Sequence, residues 1–322
     1  MKKIGVFTSG GDAPGMNACI RAVVRTACYY KKTVVGILHG FDGMIRGQMV
    51  PLGPQDVSNI IHRGGTMLKT SRSKEFMTKV GMRKAYESLK RQNIEGLIAI
   101  GGDGTFKGCV EFSQQYGIPI IGVPGTIDND LYGTDYTLGF DTAINTTLDA
   151  IDKIKETAAS HDRLFFIEVM GRDTGYLALY TGIASGADEI LLPETQTDIS
   201  SLIKLLKSRH KQGKSSIVIV AEGDEAGGAM QTAARVKEKL PEIDIRITIL
   251  GHIQRGGSPT CFDRILATRL GVAATEALLN NQSGLMAGMI NNRLAFTPLE
   301  NVCKSHSLLD TDLLRITPIM NQ

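Results

Sequence analysis

Between positions 124 and 130 the sequence reads PGTIDND, directly after the apolar run IPIIGV at 118–123. A surface turn is served by one or two residues of the Pro, Gly, Asn and Asp type. Here Thr126, Asp128 and Asp130 fall at alternate positions where a strand has just ended. Carboxylates so placed can take the proton of a hydroxyl or face a cation through their oxygens.

Two further strand ends carry Gly-Gly-Asp: SGGD at 9–12 and IGGD at 100–103, the latter continuing as GGDGTF to 106. Glycines there let the backbone approach phosphate oxygens, and a following helix N-terminus favours anions. An aspartate among them suits a Mg²⁺ that bridges phosphates. Neither segment is a Walker A loop or a GxGxxG fingerprint, and either alone also reads as a tight turn between strand and helix. MGRDTG (170–175), GHIQRGG (251–257) and SRSKEF (71–76), with basic residues at 69, 72 and 74, add arginines, a histidine and carboxylates.

These groups need elements to position them. Short β-branched runs recur at 4–11, 96–104, 118–125, 164–171, 216–223 and 245–252, each followed by a Gly-rich or polar turn. Helical patterns follow at 17–30, 105–116, 141–158, 175–185, 198–212 and 262–280. Continuous apolar strands alternating with helices predict an α/β fold whose mainly parallel sheets are covered by helices. In such sheets ligands bind beyond the carboxyl ends of the strands, where all the polar clusters fall.

The 322 residues, 42% hydrophobic and 21% charged, suffice for two domains with sizeable cores. A net charge of +3 gives no global field for nucleic acid. Five cysteines without a CxxC pair read as thiols of a reducing compartment, not as a disulfide framework or zinc site. The start MKKIGVFTSGG has no apolar stretch of signal-peptide length and no run approaches a membrane span, so a cytoplasmic location and no membrane partner are expected.

GGDGT alone is shared by sugar, NAD and diacylglycerol kinases. The ordered set TSGGDAPGMNA, GGDGT, PGTIDND, EVMGR and LGHIQRGG is far more specific, and over residues 1 to about 300 the chain resembles the bacterial ATP-dependent 6-phosphofructokinases. The resemblance implies phosphoryl transfer from MgATP to the 1-hydroxyl of fructose 6-phosphate. Asp128 is then the base, Thr126 and the Gly11 N–H hold the phosphoryl in transit, and Asp130 orients Asp128 or positions Mg²⁺ through water. Arg72 and Arg172 offset the moving charge, as their planar forks suit. Asp103 resembles the Mg²⁺ ligand. Gly102, Gly104, Thr105, Gly108 and Ser73 lie around the nucleotide. Arg163, Arg246, His252 and Arg255 resemble binders of the sugar phosphate, and Met170, Gly171 and Glu222 contacts to the sugar.

Pyrophosphate-dependent relatives carry Asp where this chain has Gly104 and Lys where it has Gly125, so ATP is the expected donor. The chain departs from the family's common pattern at Ser73 and Met77, near the adenine, and at Pro54. The last bears on an effector site for ADP or phosphoenolpyruvate, which the resemblance places at Arg21, Arg25, Lys155, Asp188, Lys211 and Lys214. A solvated basic helix face is the other reading of Arg21 and Arg25. The resemblance further implies an ATP-binding domain at 1–139 with 253–300 and a sugar-phosphate domain at 140–252 with the tail 301–322. It also implies a homotetramer in which Arg163 and Arg246 serve the neighbouring subunit. A kinase for another ketose phosphate and a non-catalytic regulatory subunit remain the competing readings.

Overall fold

The computed structural model describes the whole chain except Asp162, His306, Asn321, Gln322 and the side chain of Met320. Three of the excepted residues, His306, Asn321 and Gln322, fall in the tail expected to join the second domain. The chain divides into two compact units, one of Met1–Thr142 with Arg255–Ser307, the other of Ala143–Gln254 with Leu308–Gln322. The expected breaks were at 139/140, 252/253 and 300/301; in the structure they fall at 142/143, 254/255 and 307/308.

In chain order the elements are β1 (Lys3–Thr8), α1 (Met16–Tyr29), β2 (Thr33–Ile37), α2 (Gly40–Arg46), β3 (Met49–Leu52), α3 (Lys79–Arg91), β4 (Gly96–Gly101), α4 (Asp103–Tyr116), β5 (Ile120–Pro124) and α5 (Phe140–Ala159). There follow β6 (Leu164–Val169), α6 (Tyr176–Ser185), β7 (Glu189–Leu191), α7 (Ile199–Lys211), β8 (Ser216–Ala221), α8 (Gly228–Lys239) and β9 (Ile245–Ile249). A 3₁₀ turn (Gly251–Arg255) leads to α9 (Cys261–Leu279), β10 (Leu285–Ile290), β11 (Arg293–Pro298), α10 (Leu299–Lys304) and α11 (Thr311–Met320).

The first unit holds a seven-stranded sheet in the order β11-β10-β5-β4-β1-β2-β3. Its centre is parallel, while the hairpin-like edges β2/β3 and β10/β11 are antiparallel. Every residue of β4 and β5 is buried, as expected of strands covered on both faces. One face packs Phe7, Phe41, Phe106, Phe112, Met82 and Leu89 into a single core. The strand order reverses between β1 and β4, so their carboxyl ends form the crevice in which open α/β sheets bind ligands. Both Gly-Gly-Asp segments stand at those two ends.

The second unit holds a four-stranded, all-parallel sheet in the order β7-β8-β6-β9. Phe166, Val218 and Val220 pack under α7 and α8 with Leu202, Leu206 and Val236. Its order reverses at β6, whose carboxyl end carries Met170, Gly171 and Arg172. The mainly parallel α/β architecture agrees with the sequence pattern. The antiparallel edges were not expected from it.

Candidate active site

In the first unit the loop after β5 is held against the loop after β4. Gly125 N–H donates to the Gly101 carbonyl at 3.0 Å, and a Cβ at Gly102 would come to 3.7 Å from that of Thr126. Thr126 and Asp128 are both buried, 8% and 6% exposed, so the loop turns inward where a solvent turn would point out. Asp128 N–H donates to Thr126 Oγ1 at 3.2 Å, forming a local turn that fixes hydroxyl and carboxylate relative to each other. Asn129 then takes a left-handed backbone, φ +53°, and its side chain bridges Thr137 N–H and the Asp135 carbonyl. Asp130 is half-buried, and its carbonyl accepts from Ser307 N–H at 3.2 Å.

The two Gly-Gly-Asp turns interlock beside it. Ser9 N–H donates to the Ile100 carbonyl at 3.1 Å, and Thr105 Oγ1 donates back to the Ser9 carbonyl at 3.1 Å. Arg255 lays its guanidinium on Gly11, where a Cβ would lie 2.5 Å from Nη1, and donates to the Asp12 carbonyl at 3.3 Å. A side chain at position 11 would have to displace that guanidinium. Asp103 opens α4 and accepts Lys107 Nζ at 2.7 Å, one turn along the same helix face. A Cβ at Gly104 would meet nothing within 4 Å, whereas one at Gly125 would press on Ile100 at 3.0 Å and Met16 at 3.1 Å. Gly108 sits under the stacked rings of Phe41 and Phe76, whose centroids are 3.9 Å apart. Thr70 ties the following Ser71–Ser73 segment to this region by donating to the Gly10 carbonyl at 2.8 Å, and Arg72 stays exposed.

In the second unit Arg172 projects from a left-handed backbone, φ +58°, with its N–H on Glu222 Oε1 at 2.8 Å. The strand end of β8 supplies Gly223, where a Cβ would collide with the Arg172 carbonyl. Glu222 thus orients the backbone of Arg172, and the Arg172 side chain is exposed. Met170 N–H donates to Oε1 of the fully buried Gln254 at 3.2 Å, and Thr147 Oγ1 meets the same oxygen at 3.1 Å. Arg163, just before β6, and Arg246, in β9, share Asp244: Nε of the first at 2.8 Å and Nη2 of the second at 3.1 Å from Oδ2. His252 is exposed on the 3₁₀ turn.

The residues expected to bind an effector separate into two groups. Arg21 and Arg25 lie one turn apart on α1 in the first unit, and burial together with the Arg25 charge lowers Arg21's hold on its proton. In the second unit Lys155 donates to the Ser185 carbonyl. Asp188 accepts Arg209 Nη2 at 2.7 Å and Ile217 N–H at 2.8 Å, so both of its oxygens are engaged within the fold. Lys211 and Lys214 are exposed.

Among the described residues no group of three or more His, Cys, Asp or Glu side chains converges as a metal cage. Mg²⁺ on phosphates takes one or two carboxylates and fills its octahedron with phosphate oxygens and water. Asp103, at a helix N-terminus beside the Gly-Gly turn, is a carboxylate of that kind. Also among the described residues, no helix is long and apolar enough to cross a membrane.

Four supporting residues were not singled out from the sequence: Asn129, Thr137, Gln254 and Asp263. The only sequence signal was that Asn129 and Gln254 lie inside the PGTIDND and GHIQRGG motifs.

The family model described as phosphofructokinase matches residues 3–278. An ATP-dependent 6-phosphofructokinase 1 of Thermus thermophilus is 56% identical over 321 residues, covering 99% of each chain. The ATP-dependent 6-phosphofructokinase of Cytophaga hutchinsonii is 51% identical, covering 100% of this chain and 98% of its own. The solved phosphofructokinase of Saccharomyces cerevisiae superposes with a TM-score of 0.89 at 35% identity over the whole of this chain, which spans 47% of the yeast chain.

Proposed function

The chain belongs to the phosphofructokinase family, and from that premise we propose that it transfers the terminal phosphoryl group of ATP to the 1-hydroxyl of fructose 6-phosphate. The products are fructose 1,6-bisphosphate and ADP. The observation that carries this reading is the inward-turned Thr126–Asp128 loop, bonded through Gly125 to the Gly-Gly turn at the sheet's switch point.

In the reaction Asp128 accepts the proton of the 1-hydroxyl as that oxygen attacks phosphorus, and the bond from phosphorus to the ADP oxygen breaks. Such transfers gain most from positioning and from charge placed around the moving phosphoryl. Thr126 Oγ1 and the Gly11 N–H hold that group, while Arg72 and Arg172 offset its charge. Asp103 would hold Mg²⁺, which supplies charge neutralisation across the phosphates. The unit containing β1, β4 and β5 takes the nucleotide around Gly102, Gly104, Thr105 and Gly108. Arg163, Arg246, His252 and Arg255 bind the sugar phosphate, with Met170 and Glu222 against the sugar. The open space at Gly104 supports a nucleotide donor.

The active form is a homotetramer in which Arg163 and Arg246 serve a neighbouring subunit. ADP and phosphoenolpyruvate act at Arg21 and Arg25. Lys155, Asp188, Lys211 and Lys214 are the further residues assigned to effector binding, Asp188 already pairing with Arg209 and the Ile217 N–H. The test is one coupled assay of the purified protein with ATP or pyrophosphate across several ketose phosphates. Turnover is expected with ATP and fructose 6-phosphate. Preference for pyrophosphate, for another sugar phosphate, or no turnover at all would overturn the reading.

A further inference from the structure

Asp263 is a carboxylate for which the reaction scheme has no role, yet it is fully buried in the first turn of α9. Three donors converge on it. Gly139 N–H reaches Oδ1 at 2.9 Å, and Thr142 reaches Oδ2 with its N–H at 2.9 Å and its hydroxyl at 2.5 Å. The Thr142 hydroxyl is itself held by Thr260 N–H at 3.0 Å, and the Thr260 hydroxyl donates to Asp141 Oδ2 at 2.5 Å. A buried carboxylate is costly to keep unless its oxygens are filled in this way. An amide of the same shape has one acceptor oxygen and turns an NH₂ group toward donors.

The segment that Asp263 grips is the one that braces the catalytic loop. Leu138 N–H donates to the Pro124 carbonyl at 2.9 Å, and Thr137 donates from its hydroxyl to the Thr126 carbonyl at 2.6 Å. Thr137 N–H also donates to Asn129 Oδ1 at 2.8 Å, holding the left-handed residue that follows Asp128. A non-glycine residue in that conformation persists only when its surroundings over-determine it. Asp263 thus holds residues 139 and 142, and residues 137 and 138 of the same short stretch of chain hold the loop on both sides of Asp128.

We propose that Asp263 is a positioning residue for phosphoryl transfer, holding residues 137–142 in the register that sets the Thr126 hydroxyl and the Asp128 carboxylate. The proposal rests on the assignment of Thr126 and Asp128 to the chemistry. It predicts a loss that falls on turnover and not on substrate affinity, because misplacement of reacting groups by about 1 Å costs up to roughly 10²-fold in rate.

The test compares Asp263→Asn and Thr142→Val with wild type and with Asp128→Ser, at a temperature well below each thermal midpoint and with the oligomeric state checked by sedimentation. Asp263→Asn is expected to lower kcat by roughly 10- to 100-fold, with KM for ATP and fructose 6-phosphate within about threefold of wild type. Thr142→Val, which deletes one of the three donors, should lower kcat in the same sense by a smaller factor. If Asp263→Asn does not fold, Thr142→Val decides. Wild-type kcat in the folded variants, or a change confined to KM, overturns the positioning role. An active Asp128→Ser would instead remove the base assignment, so the two failures are distinguishable.

Discussion

Arg163 and Arg246 meet on a single atom: Oδ2 of Asp244 accepts Nε of the first at 2.8 Å and Nη2 of the second at 3.1 Å. The hydrogen bond from Arg163, with the Arg246 charge beside it, holds the Asp244 carboxyl below the usual carboxylate range. Asp244 thus gathers the two cations proposed to bind the sugar phosphate and also competes with that phosphate for them. Exposed ion pairs are weak and screened by salt. Asp244→Asn should therefore lower KM for fructose 6-phosphate by only about two- to fivefold at low salt, with kcat little changed. A raised KM in steady-state assays would show that Asp244 helps to present the arginines and does not compete.

Asp128→Ser should lower kcat by roughly 10²- to 10⁴-fold, the range for removing a general base. Sugar-phosphate affinity, measured by equilibrium binding, should change far less. A variant that keeps half of wild-type kcat at neutral pH would take Asp128 out of the mechanism.

Gly104 and Gly125 separate donor choice from folding. Because a Cβ at Gly104 would meet nothing within 4 Å, Gly104→Asp should change the thermal midpoint little while like-charge repulsion weakens ATP. Gly125→Lys should lower the midpoint, since its Cβ would fall 3.0 Å from Ile100 and 3.1 Å from Met16. Calorimetry beside ATP kinetics checks both, and a destabilised Gly104→Asp would contradict the open space seen there.

Asp263 also links stability to pH. Burial pushes its carboxyl up to about 6 from 3.8, opposed by the Thr142 and Gly139 hydrogen bonds and aided by the Asp141 charge. An acid whose pKa is raised on folding binds its proton more tightly in the folded state. The stability it contributes is present in full below 3.8, declines as pH rises toward about 6 and is lost above it. Between pH 5 and 7 that loss amounts to about 1 kcal/mol. Asp263→Asn lacks it, so the stability gap between variant and wild type should shift by about that amount in the variant's favour over this interval. Denaturant midpoints at the two pH values read the shift, and a gap that does not move removes the titration.

Each charge-assisted phosphate contact contributes about 1.5–3 kcal/mol. If the effectors act at α1, Arg21→Ala/Arg25→Ala should abolish the response to ADP and phosphoenolpyruvate at subsaturating fructose 6-phosphate. Pro54→Arg, which places a cation at an exposed turn where the chain departs from the family's pattern, should tighten that response by about tenfold. A double variant that responds like wild type would move the regulatory site elsewhere.

Much of the architecture was legible in the chain because β1, β4, β5, β6 and β8 are continuous apolar runs that lead into glycine-bearing turns. The antiparallel edge strands β3 and β11 were not, since MVPL and RLAFTP are short, half-exposed and carry proline. The helices α3 and α8, KVGMRKAYESLKR and GAMQTAARVKEK, lie between polar segments and bury only Met82 and Leu89 in the first and Val236 in the second as large apolar residues, so they were not singled out. The candidate site divides in the same way. Thr126, Asp128 and Arg172 stand inside compact motifs, whereas Asp263 meets Gly139 across 124 positions and Gln254 meets Met170 across 84. No local spacing encodes such pairs. They follow from the fold that brings β strands and helix starts together.

On the role proposed for Arg172, its left-handed backbone sets stability against turnover. A non-glycine residue there costs of order 1 kcal/mol or more, and the packing of the Arg172 carbonyl on Gly223 leaves the chain little room to relax it. Glycine in place of Arg172 would relieve the cost and delete the guanidinium together. If Arg172 offsets the charge of the moving phosphoryl as proposed, laboratory evolution of this protein under heat alone would favour Arg172→Gly at the expense of turnover. Under selection for glycolytic flux the strained arginine would be kept, as a local weak point in thermal tolerance.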